Sequence, residues 1–433
     1  MILTIEKLIY GGDGLARTPP GTDGRSMAVF VPFVLPGERV EAEIQTGKAG
    51  FSRGKVTELL EGSADRIEPR CPYFEKCGGC HYQHIPYERQ LEFKVQILRE
   101  TLQRIAKLDL KDEVRVHPSP AWNYRNRTRL RVRTIPEFAL GYYRMGSRDF
   151  LPVRECPVSS PLINGVMARL TDASGLNCPE AVEEIEFLAD AGDENLLASA
   201  FCRVDAKQKD LLGWAEKFRA EFSPLLGVSF FSSRQRSEDE APPELKSIAA
   251  SGAGVLQYHS SHGEYQVSAG AFFQVNRHLV DELITVVTGN ARGDVALDLY
   301  AGGGLFSVPL ARNFRHIFAV EPSHTSLADL RKNVPASVKV VGTRTEDFLR
   351  SRPARNRPDL VVLDPPRAGA GKAVTRSLVE LGAQSVRYVS CDPATLARDL
   401  VALVAAGYRI EEAHLFDLFP QTFHIESAFL LAR

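Results

Sequence analysis

From residue 276 onward, apolar runs of strand length alternate with longer runs of helical periodicity. Helical patterns separate the first six apolar runs, and this alternation is typical of an open, doubly wound and mostly parallel sheet. The last two runs follow each other without a helix, so we expect one of these strands to run antiparallel. The seven predicted strands cover residues 294–300, 316–321, 337–341, 359–364, 386–390, 408–418 and 425–432.

The N-terminal part of the chain follows a different pattern. Residues 1–60 contain short strand-like runs broken by glycine, which predicts a small closed β-barrel of the oligonucleotide-binding kind. Residues 86–108 predict a helix whose apolar stripe consists of Leu91, Val95, Leu98 and Leu102.

The stretch from residue 115 to residue 260 predicts a strand-rich α+β region, and its polar tract 233–244 predicts a loop. We therefore predict three domains. They are a barrel at 1–62, a central α+β domain at 63–260 whose long helix can pack on the third domain, and an α/β domain at 261–433.

Composition and length narrow the class of protein. The chain has 433 residues, of which 44% are hydrophobic, and its net charge is −1. No apolar run reaches the roughly 18 residues that a membrane span requires, and the N-terminal sequence MILTIEKLIYGGDG lacks the pattern of a signal peptide. We expect a cytoplasmic protein with room for several hydrophobic cores.

One segment is much more basic than the chain as a whole. Residues 122–148 contain seven arginines and one glutamate, with aromatic residues between them. Arg129, Arg131 and Arg133 alternate along a predicted strand, so they would share one face and could contact RNA phosphates. A solvated strand face is the alternative interpretation.

The first strand of the α/β region leads into a glycine-rich turn. This strand ends in Asp298, the turn 300-YAGGGLF follows, and Glu321 ends the second strand twenty-three residues after Asp298. Glycines let a ligand approach the backbone at a helix N-terminus, and an acid at this distance can bind a ribose hydroxyl pair. Together these features indicate an adenosine-containing cofactor.

The type of cofactor follows from two further observations. Ser307 replaces the third glycine of a dinucleotide fingerprint, and the chain has no Walker lysine. The fourth strand ends in 363-LDPPR, which resembles the Asp-Pro-Pro motif of S-adenosylmethionine-dependent methyltransferases that act on nucleobases. A plain strand break by the two prolines is the simpler explanation, but it leaves the preceding acid unexplained.

Cys391 lies where the fifth strand ends. Ligands of doubly wound sheets bind beyond the carboxyl ends of the strands, and the fourth and fifth strands are normally neighbours about 4.8 Å apart. Asp364 and Cys391 are therefore expected to face one pocket. Asp392 and Pro393 have the N-cap and first-turn positions of the next helix, and a helix N-terminus is expected to lower the pKa of the Cys391 thiol.

Four motifs together resemble the RNA uracil-5-methyltransferases, which convert uridine to 5-methyluridine. They are SCDPAT (390–395), LDPPR (363–367), PQTFHIE (420–426) and FFQVN (272–276). The resemblance covers nearly the whole chain, because a barrel similar to the TRAM domain and a cysteine cluster precede the catalytic domain in the family's order. Leu305 departs from the family, whose members commonly have a polar residue at that position.

The resemblance implies a covalent mechanism, because uracil C5 is too weak a nucleophile to take a methyl group directly. Cys391 would add to C6, and the resulting enolate would accept the methyl group at C5. Asp364 and Gln274 would hold the uracil, and Glu426 would remove the C5 proton. His424 is either a helper or a hydrogen-bonded core histidine.

The resemblance also implies the residues that contact the ligands. The uracil must leave the RNA stack to reach such a pocket, and Phe272 would stack on it. Substrate contacts are expected at Phe272, Gln274, Arg129 and Arg131. Contacts to S-adenosylmethionine are expected at Gln274, Tyr300, Gly302, Glu321, Thr343 and Asp364.

Three cysteines crowd into ten residues as Cys-x5-Cys-x2-Cys, at Cys71, Cys77 and Cys80. In a reducing compartment this spacing indicates metal rather than disulfides, and Cys156 before Pro157 is the best fourth ligand. The arrangement looks like the [4Fe–4S] site of many family members. Zinc is the competitor, because His81 and His84 could complete a set of three cysteines and one histidine.

The sequence therefore predicts an S-adenosylmethionine-dependent methyltransferase that acts on uridine C5 in structured RNA. The barrel and the cluster are more like the 23S ribosomal RNA enzymes than the shorter transfer RNA enzymes, which are the alternative. A base exocyclic-amine methyltransferase would not need Cys391 or Glu426, and a cytosine-5 enzyme would have Pro-Cys at the fourth strand. An RNA-binding iron–sulfur protein without activity is the non-enzymatic alternative.

Overall fold

The computed structural model describes residues 1–20, 24–45, 50–110, 113–232, 245–351 and 357–433, so the loop predicted at 233–244 lies outside the described residues. The first six strands form one sheet in the order β1-β5-β6-β4-β3-β2, which curls around a core that includes Val29, Val31 and Val40. Every pairing in it is antiparallel except that of β4 with β6. The bounds are β1 (Ile2–Thr4), β2 (Lys7–Leu8), β3 (Asp13–Arg17), β4 (Ala28–Pro32), β5 (Arg39–Gln45) and β6 (Phe51–Glu61).

Two elements that follow the barrel pack with the C-terminal half of the chain. Helix α1 (Tyr87–Ala106) buries Phe93, Ile97 and Leu98 in the core that also contains the helices beside the large C-terminal sheet. Strand β7 (Val114–His117) pairs in parallel with the edge of that sheet. The structure therefore joins these segments to the catalytic half, although they precede it by more than a hundred residues in sequence.

The central region is a seven-stranded sheet in the order β10-β9-β8-β11-β12-β13-β14. Its core gathers apolar side chains from α2 and α3, such as Met167 and Trp214, against the strands. Its strands are β8 (Arg127–Arg133), β9 (Ala139–Tyr143), β10 (Phe150–Pro152), β11 (Val182–Ala189), β12 (Leu196–Cys202), β13 (Leu225–Ser232) and β14 (Ser247–Gly252). Its helices are α2 (Pro161–Asp172), a short 3₁₀ turn (Ser174–Leu176) and α3 (Gln208–Glu221), and a separate hairpin follows, β15 (Val255–Ser260) with β16 (Gly263–Ser268).

The C-terminal sheet has eight strands in the order β19-β18-β17-β20-β21-β23-β22-β7. Only β23 runs antiparallel to its neighbours, which agrees with the expectation for the last two strands. The strands are β17 (Gly293–Leu299), β18 (Phe314–Val320), β19 (Val338–Val341), β20 (Leu360–Leu363), β21 (Ser385–Ser390), β22 (Arg409–Phe416) and β23 (Glu426–Ala432). The helices are α4 (Val280–Thr288), α5 (Ser307–Leu310), α6 (His324–Asn333), α7 (Thr345–Arg350), α8 (Gly371–Leu381) and α9 (Pro393–Ala405).

This architecture confirms the predicted fold class, an α/β methyltransferase-like sheet preceded by a curled N-terminal sheet and a central α+β region. Strands β17, β20 and β21 are neighbours, so their carboxyl ends meet at one edge of the sheet. None of the helices in the described part of the chain is long and apolar enough to cross a membrane.

Candidate active site

The register of three strands brings Asp364, Cys391 and Glu426 to one edge. Leu363 pairs with Tyr388 across β20 and β21, so Asp364 follows β20 just where β21 is about to end. Ser390 pairs with Ser427 across β21 and β23. Because β23 runs antiparallel, its first residue, Glu426, lies opposite the residue that follows β21, which is Cys391. The strand register therefore places these three residues next to one another at the edge of the sheet.

Helix α9 begins directly after Cys391, as the sequence predicted. Asp392 is the N-cap, and its carboxylate accepts hydrogen bonds from the N–H groups of Ala394 (3.0 Å) and Thr395 (2.9 Å). Pro393 has the first helical position, where its missing N–H costs nothing. This arrangement explains Asp392 by capping and leaves the thiol as the reactive group of the junction.

The pKa of the Cys391 thiol corrects one expectation. Burial, followed by the charges of Glu426 and Asp364, raises the pKa of Cys391 to about 12, against the smaller opposing effect of Arg367. The lowered pKa that the helix N-terminus predicted is therefore wrong for the free protein, because desolvation and two acids outweigh a partial dipole charge. The thiol needs a proton acceptor beside it before it can act.

Two carboxyl groups beside the thiol can serve as that acceptor. Burial raises the pKa of Asp364 to about 7. Burial and the charge of Asp364 raise the pKa of Glu426 well above its ordinary value. Like charges in a dry site resist ionising together, so this pair holds a proton near neutral pH.

Arg367 was missed in the sequence, although it directly follows the Asp-Pro-Pro motif. Its charge lowers the pKa of Cys391 and of Glu426, and its guanidinium lies 3.5 Å from Nδ1 of His424. Burial and the charge of Arg367 lower the pKa of His424 to about 3, so this ring is neutral. The signal in the sequence was that Arg367, a positively charged residue, lies close behind the end of a predicted strand.

The expected cofactor residues surround the glycine-rich turn. The N–H of Gly302 donates to Glu321 (2.9 Å), which also accepts from the N–H of Ser323 (2.7 Å). Gly302 has φ of 54°, a conformation that favours glycine. Asp298 accepts a hydrogen bond from Ser307 (2.5 Å), and burial raises its pKa to about 7. These groups hold the turn against the ends of β17 and β18.

Two further cofactor candidates flank that turn. Tyr300, also with positive φ, is half-buried, and burial raises its pKa to about 12. Thr343 lies two residues beyond β19 and is half-buried as well. Their contact with a cofactor stays a prediction, since both simply border the same edge of the sheet.

The segment before α4 supplies the expected substrate contacts. Phe272 is 62% exposed although its neighbour Phe273 is buried, and Gln274 is buried at 7% exposure. Asn276 fixes this segment by donating to Ser119 (2.8 Å) and to the carbonyl of Leu418 (3.2 Å). A large aromatic side chain is thus left free on a segment whose other side is anchored.

The predicted arginine stripe has neighbours that reduce its charge. Arg129 and Arg131 both form ion pairs with Glu184 on the adjacent strand β11. Arg129 also lies 3.6 Å from the ring centre of Phe201, and Arg131 lies 5.0 Å from that of Tyr143. Phosphate binding by these arginines stays a prediction, and it would require exchange of a carboxylate for a phosphate.

Cys71, Cys77, Cys80 and Cys156 line one cavity of about 310 Å³. All four are free thiols, and burial raises the pKa of Cys77 to about 11 and that of Cys80 to about 12. The charges of the other cysteines contribute to both shifts, so the sulfur atoms converge. Four convergent thiols around a void fit the sulfur ligands of an iron–sulfur cluster.

The two histidines of the zinc alternative turn away from this cavity. The His81 ring packs on Phe423 with centroids 4.7 Å apart, and the His84 ring packs on Phe74 at 5.6 Å. Neither histidine lines the cavity. Within the described ranges, no three His, Cys, Asp or Glu side chains are arranged to hold a single metal ion. The cavity is lined by four cysteines and by neither histidine, so the four-cysteine set stays the predicted ligand set.

Comparison with known proteins gives the family. Residues 86–433 match the tRNA (uracil-5-)-methyltransferase family, and residues 2–57 match the TRAM domain. A 23S rRNA (uracil(1939)-C(5))-methyltransferase RlmD of Halomonas elongata is 33% identical over 99% of this chain and 89% of its own. The RlmD of Chromohalobacter salexigens is 34% identical over 100% and 89%.

Other relatives and one solved structure agree with that match. An uncharacterized RNA methyltransferase of Thermotoga maritima is 32% identical over 99% of this chain and 98% of its own. The crystal structure of Pyrococcus abyssi tRNA (uracil-54, C5)-methyltransferase in complex with S-adenosyl-L-homocysteine has the same fold, with a TM-score of 0.75, 23% identity and complete coverage of both chains. The chain therefore belongs to the tRNA (uracil-5-)-methyltransferase family and is an S-adenosylmethionine-dependent RNA (uracil-5-)-methyltransferase.

Proposed function

We propose that this enzyme methylates a uridine of 23S ribosomal RNA through a covalent bond between Cys391 and uracil C6. The observation that carries the mechanism is the strand register that sets Cys391 between Asp364 and Glu426. A methyltransferase that acts on an exocyclic amine has no use for a thiol between two acids. The bound S-adenosylmethionine supplies the methyl group, and the residues around Gly302 and Glu321 would hold it.

The proposed steps use three side chains. The Cys391 thiol passes its proton to a neighbouring carboxylate, and its sulfur bonds to C6 while the C5–C6 double bond becomes an enolate. C5 then forms its bond to the methyl group, whose bond to the sulfonium sulfur of S-adenosylmethionine would break and leave S-adenosylhomocysteine. Glu426 reacts in its ionised form: it takes the C5 proton, the C6–S bond breaks, and the thiolate recovers its proton from the carboxyl group that received it. The net change is one methyl group gained by C5 and one proton released.

The raised pKa values support this order of events. Asp364, with a pKa of about 7, is partly ionised at neutral pH and can accept the thiol proton. Arg367 would stabilise the negative charge that remains after this transfer. Phe272 and Gln274 would receive the extruded base, one by stacking and the other by hydrogen bonding at the uracil edge.

The choice of 23S ribosomal RNA rests on the two RlmD relatives, which this chain matches over nearly its whole length. Transfer RNA is the second candidate, because the Pyrococcus abyssi enzyme with the same fold acts on it. Purified 23S RNA and bulk transfer RNA, each from cells that lack this enzyme, separate the two. Labelled methyl should enter only the ribosomal RNA, and label in transfer RNA alone would reverse the assignment.

The covalent mechanism can be tested with 5-fluorouridine-substituted RNA. Fluorine at C5 cannot leave as a proton, so the enzyme and the RNA should remain joined in a denaturing gel when the methyl donor is present. Cys391→Ala should form no adduct and should lose at least about 10³-fold in methylation rate. Cys202→Ala, at a buried cysteine outside the site, is the matched control. A normal rate for Cys391→Ala would refute the mechanism.

We further propose that Cys71, Cys77, Cys80 and Cys156 hold a [4Fe–4S] cluster, because all four line one cavity. The cluster would cross-link the segment 71–80 to the residues after β10, and it takes no part in methyl transfer. Anaerobic purification should give about four iron atoms per chain and a brown chromophore, both lost in Cys80→Ser. One zinc per chain with no iron would contradict the proposal.

A further inference from the structure

The N-terminal barrel reaches the nucleophile of the catalytic sheet. The turn between β2 and β3 carries Tyr10, whose hydroxyl donates a hydrogen bond to the carbonyl of Cys391 at 3.2 Å. The Tyr10 ring meets the ring of Phe423 edge to face, with centroids 5.5 Å apart. Phe423 belongs to the segment that leads into Glu426. Tyr10 of the barrel therefore contacts both Cys391 and the segment that leads into Glu426.

The turn that carries Tyr10 is shaped for this approach. Gly11 and Gly12 both have positive φ, at 112° and 93°, which favours glycine. A Cβ atom on Gly12 would lie 3.1 Å from His81 and 3.2 Å from Phe423, so this position has no room for a side chain. Leu8, just before the turn, is buried in the core of the catalytic half. The contact is thus part of a close-packed junction between the domains.

In the part of the chain that the structure describes, Tyr10 donates to the Cys391 carbonyl, and its hydroxyl also contacts the Asp392 carboxylate. In a helix start without proline, a following N–H could approach this oxygen. Here Pro393 has no N–H, and the N–H groups of Ala394 and Thr395 donate to the Asp392 carboxylate. A part-buried carbonyl that loses its donor tends to shift toward another partner. The phenol hydroxyl therefore holds the peptide that carries the nucleophile.

We propose that Tyr10 is a positioning residue that holds Cys391 in its reactive orientation, so that the barrel completes the active site in addition to any RNA contact. This inference rests on the proposed role of Cys391 as the nucleophile. Removing the hydroxyl should slow the bond-forming step about 5-fold to 10-fold, because one hydrogen bond contributes about that much. RNA affinity should stay unchanged, since the hydroxyl is turned toward the protein.

The test compares Tyr10→Phe with Tyr408→Phe. Tyr408 also donates its hydroxyl to a buried carbonyl, that of Ala383 at 2.8 Å, but at the opposite end of the sheet. Three quantities are measured for each variant: the single-turnover rate of adduct formation on 5-fluorouridine RNA, the Kd for that RNA, and the rate at which iodoacetamide alkylates Cys391 in the free enzyme, followed by peptide mass spectrometry. Thermal unfolding checks that both variants fold.

We expect Tyr10→Phe to lower the adduct rate about 5-fold to 10-fold and to change the alkylation rate at least about 3-fold, with Kd within about 2-fold of the wild type. Tyr408→Phe should match the wild type in all three. If the wild type forms the adduct and Tyr10→Phe forms it equally fast, or if only Kd changes, the positioning role is wrong. If the wild type itself forms no adduct, the covalent mechanism fails first, and this inference fails with it.

Discussion

Cys391 and the four cysteines that line the cavity are positioned in different ways. Cys391 follows a strand, and its position relative to Asp364 and Glu426 is set by the pairing of three strands. The four cysteines of the cavity lie on irregular segments, three before α1 and one after β10. Residues at strand ends are positioned by the pairing of the strands. Residues on loops are positioned by the group that the loops enclose.

The surroundings of the thiols differ as well. Burial raises the pKa of Cys391, Cys77 and Cys80 alike. Next to Cys391 are two carboxyl groups, which can take its proton. Next to the cavity thiols are mainly other thiols, aromatic rings and arginines, with one carboxylate, Glu155. A metal cluster is the group that would displace those protons, so the two sites suit covalent catalysis and ligation respectively.

A short hydrogen-bonded link joins the two groups. The N–H groups of His81 and Tyr82, directly after Cys80, donate to the carbonyl of Gln421 at 2.9 Å and 3.0 Å. Gln421 has φ of 68° and lies five residues before Glu426. Its side-chain oxygen accepts from Gln90 of α1 at 3.0 Å. The cysteine segment therefore helps to hold the segment that carries the base.

The largest effect is expected when Glu426, the proposed base, is replaced. Glu426→Gln keeps the thiol and the side-chain volume but removes the group that we propose takes the C5 proton. We expect overall turnover to fall about 10²-fold to 10⁴-fold. The methylated adduct should accumulate on ordinary RNA, visible as a stable band in a denaturing gel. A slow enzyme without such a band would assign Glu426 to an earlier step.

The next effect concerns a buried ion pair between α1 and the segment before Gln421. Lys94 of α1 donates to Asp417 at 2.6 Å and to the carbonyl of Phe419 at 3.1 Å, and both charged side chains are fully buried. Lys94→Met leaves a buried carboxylate without its partner, which costs about 3–5 kcal/mol. Urea denaturation should show this loss in the free energy of unfolding.

The double variant Lys94→Met/Asp417→Asn is the control for that measurement. It removes both charges, so it should recover much of the lost stability. Equal stability of the single variant and the wild type would show that this pair adds nothing to the free energy of unfolding.

Much of the fold was accessible from the sequence because strand periodicity is strong in buried parallel sheets. The run predicted at 386–390 is β21 at Ser385–Ser390, and the predicted helix 86–108 is α1 at Tyr87–Ala106. Strand β7 was not assigned to the catalytic sheet. Its four residues carry too little periodicity, and its partner β22 lies almost three hundred residues later.

The candidate site could likewise be predicted only in part from the sequence. Asp364 and Cys391 could be proposed because they lie at the ends of predicted strands, whereas Glu426 was proposed from the resemblance to the family. The predicted direction of the Cys391 pKa shift was wrong, because burial and neighbouring charges arise only in the folded chain and cannot be recognised in a local motif. Tyr10 was missed because its contact with Cys391 joins residues 381 positions apart, and its turn has the ordinary pattern of a barrel hairpin.

The smallest expected effect separates the two explanations of Cys391 reactivity. A thiol activated by the helix N-terminus would be largely ionised at neutral pH, and its alkylation rate would reach a plateau below pH 8. A thiol with a pKa of about 12 is protonated throughout this range, so its alkylation rate in the free enzyme should rise about tenfold per pH unit from pH 7 to pH 9. Where Glu426 is ionised, Glu426→Gln removes a charge that raises this pKa, so the variant should be alkylated faster than the wild type toward pH 9. A plateau in the wild type, or slower alkylation in Glu426→Gln, would show that the helix N-terminus, and not burial with the two acids, determines the pKa of Cys391.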